Sequence, residues 1–358
     1  MQDRDEVFMR RALEVAARPA FTSPNPRVGA VVVKDGTILS EGAHQGAGTP
    51  HAEAVALDGI DARGATLYVT LEPCNHVGRM PPCAPAIVAS GITRVVAAIE
   101  DPDHRVSGRG FAHLREHGIE LVTGVLSDEA RAQNVAFFHA CRTGRPLITL
   151  KLALTLDGRL GAADGSARWI TGESARAHVH ARRQEAGAVL VGAGTVLADD
   201  PELTVRAIEA ARQPLRVIVD ARGRVSEGAA IFDPDVAPVL VATTALAAGE
   251  RQVAWKEAGA EVVVLDAVAG GVDLSAVIAE LGRRSITEVY CEGGARLATS
   301  LLRDDLVDRL ELYYGPVLVG DGPHISSIGV TSMGDARRWR TCEVRRFDDD
   351  VMIVLERA

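Results

Sequence analysis

The sequence predicts an α/β protein of two domains, each a sheet covered by helices. Three observations lead to this prediction. The chain has 358 residues, more than a single hydrophobic core usually organises. Short apolar segments alternate with helical patterns along both halves of the chain. The two series meet near residues 143–146, so we place the domains at residues 1–144 and 145–358.

The first domain is expected to open with a helix over residues 6–17, where apolar residues recur at helical spacing. The segments after it alternate between strand and helix at lengths typical of a layered α/β domain. In chain order we expect strands VGAVVVKDG and TILSEGAH, a helix starting near His51, strand ATLYVTLEPC, a proline-rich loop, helix PAIVASG, strand RVVAAIEDP, helix GFAHLREHG, strand IELVTG and a closing helix over 128–141.

The second domain restarts with strand PLITLKLALTLDG, followed by a helix over residues 173–185. Further apolar segments are predicted to be strands, namely GAVLVGA, LRVIVDA, PVLVATT, EVVVLDA, TEVYCEGG, RLELYYGPVL and DVMIVLER. Helices are expected near 273–282 and 295–302. The last strands follow one another without a helix, so the sheet is expected to be mixed.

Composition narrows the classes of function. The net charge is −9 with a pI near 5.6, and the Lys and Arg residues form no dense tract. Binding a polynucleotide requires a basic surface that displaces counterions from phosphates, so no nucleic-acid partner is expected. A small anionic ligand remains compatible, because one arginine pocket can exist on an acidic protein.

The sequence shows no sign of export or membrane insertion. Its N-terminal segment is charged and lacks the apolar core of a signal peptide. The most apolar stretches, such as APVLVATTALAAG, are shorter than the roughly 18 residues that suggest a membrane span. The five cysteines form no disulfide framework, and Cys141, Cys291 and Cys342 are expected to be buried thiols. We expect a cytoplasmic protein; a homo-oligomer is left open.

A histidine, a glutamate and two cysteines form the strongest functional pattern. His51-Ala52-Glu53 stands where a helix begins, so both polar side chains can face one pocket. Strand ATLYVTLEPC delivers Cys74, and Cys83 follows nine residues later, after two prolines. One imidazole and two thiolates suit Zn²⁺. Three protein ligands leave a fourth position for water, which is typical of a catalytic zinc site.

Glu53 completes the pattern as a carboxyl group beside the metal and not on it. Zinc activates water for attack on a ring carbon, and Glu53 is expected to pass the water proton to the departing amine. H-x-E with P-C-x-x-C is the pattern of zinc nucleobase and nucleoside deaminases, but here eight residues separate the cysteines instead of two. Each residue taken alone is better explained as an ordinary core residue. The ordered set favours a zinc-dependent deaminase.

The wider sequence resembles a known family. The segments SPNPRVGAVVVKDG, GAHQGAGTPHAEAVAL, VTLEPC and CNHVGRMPPC are similar to the deaminase half of the bifunctional riboflavin-biosynthesis proteins. That family spaces its zinc cysteines in the same way, usually with Ser and Thr where this chain has Asn75 and Met80. The resemblance implies a cytidine-deaminase-like α/β/α domain with one zinc ion. The implied substrate is a diaminopyrimidinone that carries a ribosylamino group and a 5′-phosphate.

Substrate contacts in this domain are less sharply defined. Asn25, between two prolines, can hydrogen-bond the ring or the ribose, but Asn beside Pro is also common in plain turns. His76 and Arg79 lie in the loop between the cysteines and are candidates for contacts with ribose or phosphate. His44 either lines the pocket or simply ends a strand.

The second half lacks the G-x-G-x-x-G fingerprint of a dinucleotide-binding Rossmann unit. It does contain a strand that ends in Glu292-Gly293-Gly294 and leads into a helix. Glycines there let a ligand approach the backbone, and the free N–H groups at a helix start favour phosphate. A Gly-Gly pair before a helix is more often a tight turn, so this feature alone decides nothing.

The family resemblance continues through KLALTLDGRL, RWITG, GAGTVLADDPELTVR, VIVDA and CEGGARLATSLL, and implies a dihydrofolate-reductase-like α/β domain that uses NADPH. The implied NADPH contacts are Ala153, Trp169, Thr195, Asp199, Gly294, Ala295, Arg296, Leu297, Ala298, Thr299 and Ser300. The implied substrate contacts are Arg183, Leu203, Arg206 and Glu292. The two arginines suit a phosphate, because a guanidinium fork matches its oxygens. Ala167 stands where the family commonly has Ser.

Three functions remain in view. The first is the bifunctional enzyme, which deaminates a phosphorylated pyrimidine with zinc and then reduces its ribosyl group to ribityl with NADPH. The second is a deaminase for another nucleobase or nucleoside, with an unrelated C-terminal domain. The third is a binding module in which zinc is structural. A structural site usually has four protein ligands, and the pattern supplies three.

Overall fold

A computed structural model describes residues 2–76, 80–103, 106–269 and 271–357. The chain divides into two units, Met1–Gly144 and Arg145–Ala358. Arg79, a candidate substrate contact, lies outside the described residues. No helix in the described ranges is long and apolar enough to cross a membrane.

In the first unit, helices and strands alternate around a five-stranded sheet. The elements are α1 (Gln2–Ala17), β1 (Gly29–Lys34), β2 (Thr37–Ala43), α2 (Ala52–Leu57), β3 (Thr66–Val69), α3 (Cys83–Ala89), β4 (Arg94–Ala97), α4 (Arg109–Glu116), β5 (Glu120–Thr123), α5 (Ser127–Gln133) and α6 (Val135–Thr143). The sheet order is β2-β1-β3-β4-β5. β1 is antiparallel to β2 and β3, whereas β3, β4 and β5 run parallel.

Helices cover both faces of this sheet, because its strands are apolar on both sides. On β1, Ala30 and Val32 belong to one buried core, and Val31 and Val33 belong to another. The first core packs against α2, α3 and α4, and the second against α1 and α5. Alternate side chains of a strand point to opposite faces, so three layers result. The predicted α/β/α domain is confirmed.

The close packing of α2 on β2 fixes the place where the HAE segment begins. A Cβ atom on Gly42 would lie 2.2 Å from the carbonyl oxygen of Ala52. Only glycine lets the helix start approach the strand so closely. The sequence therefore positions His51 and Glu53 through a small residue on the neighbouring strand.

The closing helix expected over residues 128–141 is two helices, α5 and α6, so that prediction was wrong in its continuity. The break falls at Asn134, whose backbone leaves the helical region with φ −121° and ψ 25°. Its side-chain oxygen accepts from the N–H of Arg27 at 2.7 Å, and its amide donates to the Arg27 carbonyl at 2.9 Å. These tertiary bonds hold a local conformation that helical periodicity does not reveal.

The second unit is built on a nine-stranded sheet with a separate two-stranded ribbon. The elements are β6 (Leu147–Leu154), α7 (Glu173–Glu185), β7 (Ala188–Gly192), α8 (Ala193–Asp199), β8 (Leu215–Val219), β9 (Val239–Thr243), α9 (Gly249–Glu257), β10 (Glu261–Val264), β11 (Ala267–Val268), β12 (Gly271–Val272), α10 (Leu274–Arg283), β13 (Glu288–Cys291), α11 (Ala295–Arg303), β14 (Arg309–Tyr314), β15 (Trp339–Phe347) and β16 (Asp350–Arg357). The sheet order is β10-β9-β8-β7-β13-β6-β14-β16-β15.

This sheet is mixed, as predicted. Seven strands run parallel to one another, in the spatial order β10, β9, β8, β7, β13, β6 and β14. Strand β16 is antiparallel to β14, and β15 is antiparallel to β16. The parallel strands β6, β7 and β13 are neighbours, so their carboxyl ends meet at one edge of the sheet. Ligands of open α/β sheets usually bind at that edge.

Several elements of the second unit were not predicted. β15 exposes most of its side chains and therefore lacks the alternation of a half-buried strand. α9 buries only Trp255 among its nine residues, so its apolar periodicity is weak. α8 is short and follows β7 directly. Cys291 is buried as expected, but Cys141 and Cys342 are exposed, so the prediction of buried thiols was wrong for those two.

Candidate active sites

His51, Cys74 and Cys83 converge in the first unit, although they come from three separate places in the chain. His51 is the N-cap of α2, Cys74 follows β3, and Cys83 opens α3. The Nδ1 atom of His51 lies 3.5 Å from Cys74 Sγ and 3.3 Å from Cys83 Sγ. Among the described residues, these three are the one group of His, Cys, Asp or Glu ligand atoms close enough to share a metal ion.

The spacing of these atoms fits zinc. A tetrahedral ion with ordinary Zn–N and Zn–S bonds places a nitrogen and a sulfur ligand about 3.5 Å apart. The two distances from His51 Nδ1 agree with that value. Both sulfurs are buried, and the backbone N–H of Cys83 donates to Cys74 Sγ at 3.4 Å. The donor set and its geometry therefore suit a three-ligand zinc site.

The contacts within this group shift the pKa values of Cys74 and His51. Hydrogen bonds from Cys83 and His51 lower the pKa of Cys74 to about 4. The hydrogen bond to Cys74 raises the pKa of His51. A lowered pKa favours the thiolate form of Cys74, and the thiolate is the form of cysteine that binds metals.

Glu53 lies beside this group and does not belong to it. Its side chain is almost fully buried, with 4% of its surface exposed. Burial raises the pKa of this carboxyl group to about 7. A carboxyl group that titrates near neutral pH can both accept and release a proton during a reaction.

Asn25 and His44 form a hydrogen-bonded pair next to the metal group. The ring of His44 lies 5.5 Å from that of His51, edge to face. His44 Nδ1 lies 3.0 Å from the Pro50 carbonyl, which can only accept, so Nδ1 carries the proton. Its Nε2 atom lies 2.9 Å from the side-chain amide nitrogen of Asn25, which donates. The structure thus brings Asn25 near the metal group. His76 is exposed in the loop.

The second unit contains a cavity of about 780 Å³ at the carboxyl ends of its parallel strands. Nine of the residues implied by the family resemblance line this cavity, namely Ala153, Trp169, Arg183, Thr195, Asp199, Leu203, Arg206, Glu292 and Gly294. Residues 295–300 are not among the lining residues; they form the first turns of α11, with Ala298 and Thr299 buried. The helix instead presents its N-terminus, at Gly294, to the cavity.

Two cations of this cavity differ in their surroundings. Arg183 forms a two-point ion pair with Glu292 and donates to the Thr204 carbonyl at 2.9 Å. Although burial opposes it, Arg183 holds the pKa of Glu292 below its usual range. Arg206 is more than half exposed; its guanidinium donates to the Thr204 hydroxyl at 3.3 Å and lies 3.7 Å from the Glu202 carboxylate. Arg206 is therefore the more available group for a ligand phosphate.

Two further positive side chains line the cavity. Arg168 packs over the Trp169 ring and donates to the Asp199 carbonyl at 3.0 Å, which ties two stretches of the wall together. Lys151 lies on β6 under the cavity, and burial lowers its pKa. The sequence gives no role to Arg168, whereas Lys151, which flanks the TLDG turn, is a candidate for protonating the substrate. Only the fold brings them to the cavity.

The cavity suits a dinucleotide. Its volume is in the range of small-molecule sites, roughly 300–1,000 Å³. The N–H of Gly294 at the start of α11 donates to the Thr195 hydroxyl at 3.1 Å, so backbone and side chain meet where a phosphate is expected. Trp169 exposes 65% of its surface and offers a ring for stacking. The residues present therefore fit NADPH.

Comparison with known proteins places both halves. Residues 2–99 match the cytidine and deoxycytidylate deaminase zinc-binding region, and residues 146–353 match the RibD C-terminal domain. The riboflavin biosynthesis protein RibD of Aquifex aeolicus is 42% identical over 100% of this chain and 99% of its own length. RibD of Escherichia coli is 40% identical over 98% of this chain and 99% of its own length.

Solved structures agree over the full length. RibD of Acinetobacter baumannii superposes with a TM-score of 0.89 at 36% identity and covers 100% of both chains. A diaminohydroxyphosphoribosylaminopyrimidine deaminase/5-amino-6-(5-phosphoribosylamino)uracil reductase from Thermotoga maritima gives 0.88 at 36% identity, over 100% of this chain and 99% of that one.

The fold and the two sites define a two-domain enzyme class: a zinc-dependent deaminase domain joined to an NADPH-dependent reductase domain. The chain belongs to the RibD family of riboflavin biosynthesis proteins. The family, the two folds and the two cofactors expected from the sequence are confirmed. An unrelated C-terminal domain is excluded by the match over residues 146–353.

Proposed function

We propose that this chain catalyses two successive steps of riboflavin biosynthesis. The first is hydrolytic deamination of a diaminopyrimidinone that carries a ribosylamino 5′-phosphate. The second is NADPH-dependent reduction of the ribosyl group to a ribityl chain. The observation that carries the proposal is the set of three ligands, to which the described part of the chain adds no fourth, with a buried carboxyl group beside it. A structural zinc site would have a fourth protein ligand.

In the deaminase step, His51, Cys74 and Cys83 hold the zinc ion. When bound, zinc acidifies a water molecule and acts as a Lewis acid. Glu53 accepts a proton from the attacking water on its carboxylate and delivers a proton to the departing amine. Water and the ring amine are thereby converted to a ring carbonyl and ammonia. The pKa of Glu53, near 7, suits both transfers.

Asn25 binds the substrate in this scheme. His44 fixes the orientation of its amide, because Nε2 of the ring takes one Asn25 N–H as acceptor. The amide oxygen is then left to accept from a donor on the substrate, such as a hydroxyl or an amino group. This assignment is supported by the position of the pair beside the ring of His51.

In the reductase step, the cavity of the second unit holds cofactor and substrate side by side. NADPH, when bound, supplies the hydride. Ala153, Trp169, Thr195, Asp199 and Gly294, at the N-terminus of α11, hold the cofactor. Arg206 binds the substrate phosphate, and Leu203, Arg183 and Glu292 form the wall against the substrate. Because Arg183 is already paired with Glu292, it contributes shape and a fixed carboxylate more than free charge.

We further propose that the enzyme works in the cytoplasm on small phosphorylated pyrimidines and not on nucleic acid. The net charge of −9 supports this, since a polynucleotide surface requires basic residues.

The test is a coupled assay with the aminopyrimidine phosphate, in which ammonia release and NADPH oxidation are followed separately. We expect one ammonia and one oxidised NADPH per substrate, with ammonia appearing even when NADPH is omitted. The proposal is wrong if the native protein contains no stoichiometric zinc, or if NADPH oxidation does not depend on the deaminated intermediate.

A further inference from the structure

Glu72 is a buried carboxylate that neither site uses directly. It follows β3, two residues before Cys74, and only 3% of its surface is exposed. Its oxygens accept four backbone N–H groups from a different part of the chain. The donors are Asp101 at 3.3 Å, Gly108 at 2.9 Å, Gly110 at 2.9 Å and Phe111 at 3.2 Å. A carboxylate with this many backbone donors is an anchor and not a spare acid.

Three of these donors belong to the start of α4. Gly108 is the N-cap, and Gly110 and Phe111 lie in the first turn, where N–H groups have no partner within the helix. The N-cap is a glycine, so it has no side chain to satisfy them. Glu72 does so from the end of another element, and its negative charge also suits the positive end of the helix.

The contact is built on both sides. A Cβ atom on Gly110 would lie 1.8 Å from the carbonyl oxygen of Pro73, so only glycine allows α4 to approach the Glu72-Pro73 turn this closely. Nearby, the Asn75 side-chain amide faces the Arg109 carbonyl at 3.5 Å. The helix start and the LEPC turn are therefore complementary parts of one contact.

The anchored segment also covers the metal ligands. Val106, in the stretch before α4, is 4% exposed and forms a small apolar cluster with Cys74 and Cys83. Its N–H donates to the Asp103 carbonyl at 2.8 Å, which fixes it in a turn between the two ends that Glu72 holds. Val106 thus rests against the cysteines because Glu72 anchors Asp101 on one side and Gly108 on the other.

We propose that Glu72 is a positioning residue of the metal centre: it anchors Asp101 and the segment 106–111 beside the cysteines, so that Val106 shields both sulfur ligands and holds their spacing. This rests on the proposed deaminase function only in that the ligands bind zinc. Residues outside the ligand shell that orient or shield the ligands typically change metal affinity or activity by about 10- to 100-fold.

The experiment measures metal exchange, which needs no substrate. Full-length zinc protein is mixed with a chromogenic chelator, and the rate of zinc release is followed for the wild type, Glu72→Gln and Glu100→Gln. Glu100 is the matched control, because it is an exposed carboxylate of the same stretch that accepts from the Ser107 hydroxyl and bonds none of the N–H groups that Glu72 binds. Glutamine at position 72 turns an N–H₂ group toward donors that need an acceptor.

We expect Glu72→Gln to release zinc about 10- to 100-fold faster than the wild type, with Glu100→Gln unchanged. The cobalt-substituted variant should show a shifted visible spectrum, since that spectrum reports the geometry of the sulfur ligands. NADPH oxidation with the deaminated intermediate should be equal in all three proteins, because it depends on the second unit and not on the metal centre. Equal release rates and equal cobalt spectra for all three proteins overturn the proposal.

Val106→Ala provides a second route if Glu72→Gln does not fold. It removes the apolar cover and leaves the four hydrogen bonds of Glu72 in place. Faster zinc release from Val106→Ala supports the shielding role, whereas a wild-type rate contradicts it. If the protein binds zinc as described but releases no ammonia from the pyrimidine substrate, the proposed function fails while this inference stands.

Discussion

The guanidinium of Arg183 donates two hydrogen bonds to the carboxylate of Glu292, with Nε 2.5 Å from Oε1 and Nη2 3.0 Å from Oε2. Both side chains are largely buried at the floor of the second cavity. The pair joins α7 to the end of β13, and the third contact of Arg183, with the Thr204 carbonyl, adds the loop that carries Leu203 and Arg206. A fixed ion pair thus ties the substrate loop to the sheet.

Glu292→Gln should lower both stability and reductase activity. The substitution leaves a buried guanidinium without its counter-charge, and breaking a buried pair in this way costs about 3–5 kcal/mol. Chemical denaturation followed by the fluorescence of the second unit measures the effect. Glu343→Gln, on the exposed edge strand β15, is the matched control and should change nothing. If Glu292→Gln has the same free energy of unfolding as the wild type, the prediction is wrong and water still solvates the Arg183–Glu292 pair.

Arg206→Gln should raise the KM for the phosphorylated intermediate and leave kcat nearly unchanged. Arg206 is 57% exposed, and its ion pair with Glu202 is long, 3.7 Å, so its guanidinium can turn to a phosphate at little cost. Losing charge-assisted hydrogen bonds to phosphate costs about 1.5–3 kcal/mol, which corresponds to roughly 10- to 100-fold in affinity. Steady-state kinetics of NADPH oxidation test this. Arg340→Gln on β15 is the control, and an unchanged KM for Arg206→Gln would contradict the assignment.

Glu53→Gln should abolish most ammonia release. A positioned general acid–base group contributes typically about 10²- to 10⁴-fold to a rate, and glutamine cannot transfer the proton. Zinc content should stay near one per chain, because Glu53 is not a ligand. NADPH oxidation with the deaminated intermediate should also persist. Ammonia release at the wild-type rate would remove Glu53 from the mechanism, and Glu120→Gln, exposed on β5, provides the comparison.

Removal of zinc should separate the two activities. Dialysis against a strong chelator, or the Cys83→Ser variant, should eliminate deamination, since a tetrahedral site needs its thiolate. Reduction of the deaminated intermediate should continue, because the second cavity contains none of these ligands. Metal analysis combined with the two assays measures both effects. Loss of both activities together would indicate that zinc also supports the reductase unit.

The first unit should lose stability in acid through Asp5. Hydrogen bonds from Arg94 hold the pKa of Asp5 below its usual range, with distances of 2.9 and 2.8 Å. A depressed folded-state pKa contributes stability that is fully present above the unfolded value, about 3.9. That contribution is lost as pH falls through the folded pKa. Thermal unfolding from pH 6 to pH 3 should therefore show a smaller acid effect for Asp5→Asn than for the wild type.

The zinc site was predictable from sequence because its chemistry needs particular residue types in order. Histidine and cysteine are scarce in this chain, with 10 and 5 copies. The order of His51, Glu53, Cys74 and Cys83 along alternating helices and strands therefore leaves few explanations other than a metal site. The break between α5 and α6 was not predictable, because tertiary hydrogen bonds between Asn134 and Arg27 cause it. The edge strand β15 was missed for a similar reason, since its outward residues have no periodicity to detect.

The reductase side chains show a different limit. The resemblance indicated which residues face the cavity, but not that Arg183 is already neutralised by Glu292 while Arg206 is exposed. Both are arginines that the resemblance implies as substrate contacts, and sequence gives them equal weight. The role of Glu72 was not predictable from VTLEPC, because its four donors lie about thirty to forty residues further along the chain.

The position of β6 has a consequence for how the chain acquires its structure during synthesis. β6 is the first strand of the second unit, yet its partners are β13 and β14, which leave the ribosome well over a hundred residues later. The first unit has no such wait, because each strand pairs with one made shortly before or after it. Contacts distant in sequence form slowly. The deaminase unit is therefore expected to fold on the ribosome while β6 is still unpaired, and the sheet of the reductase unit forms only after β13 and β14 have been made.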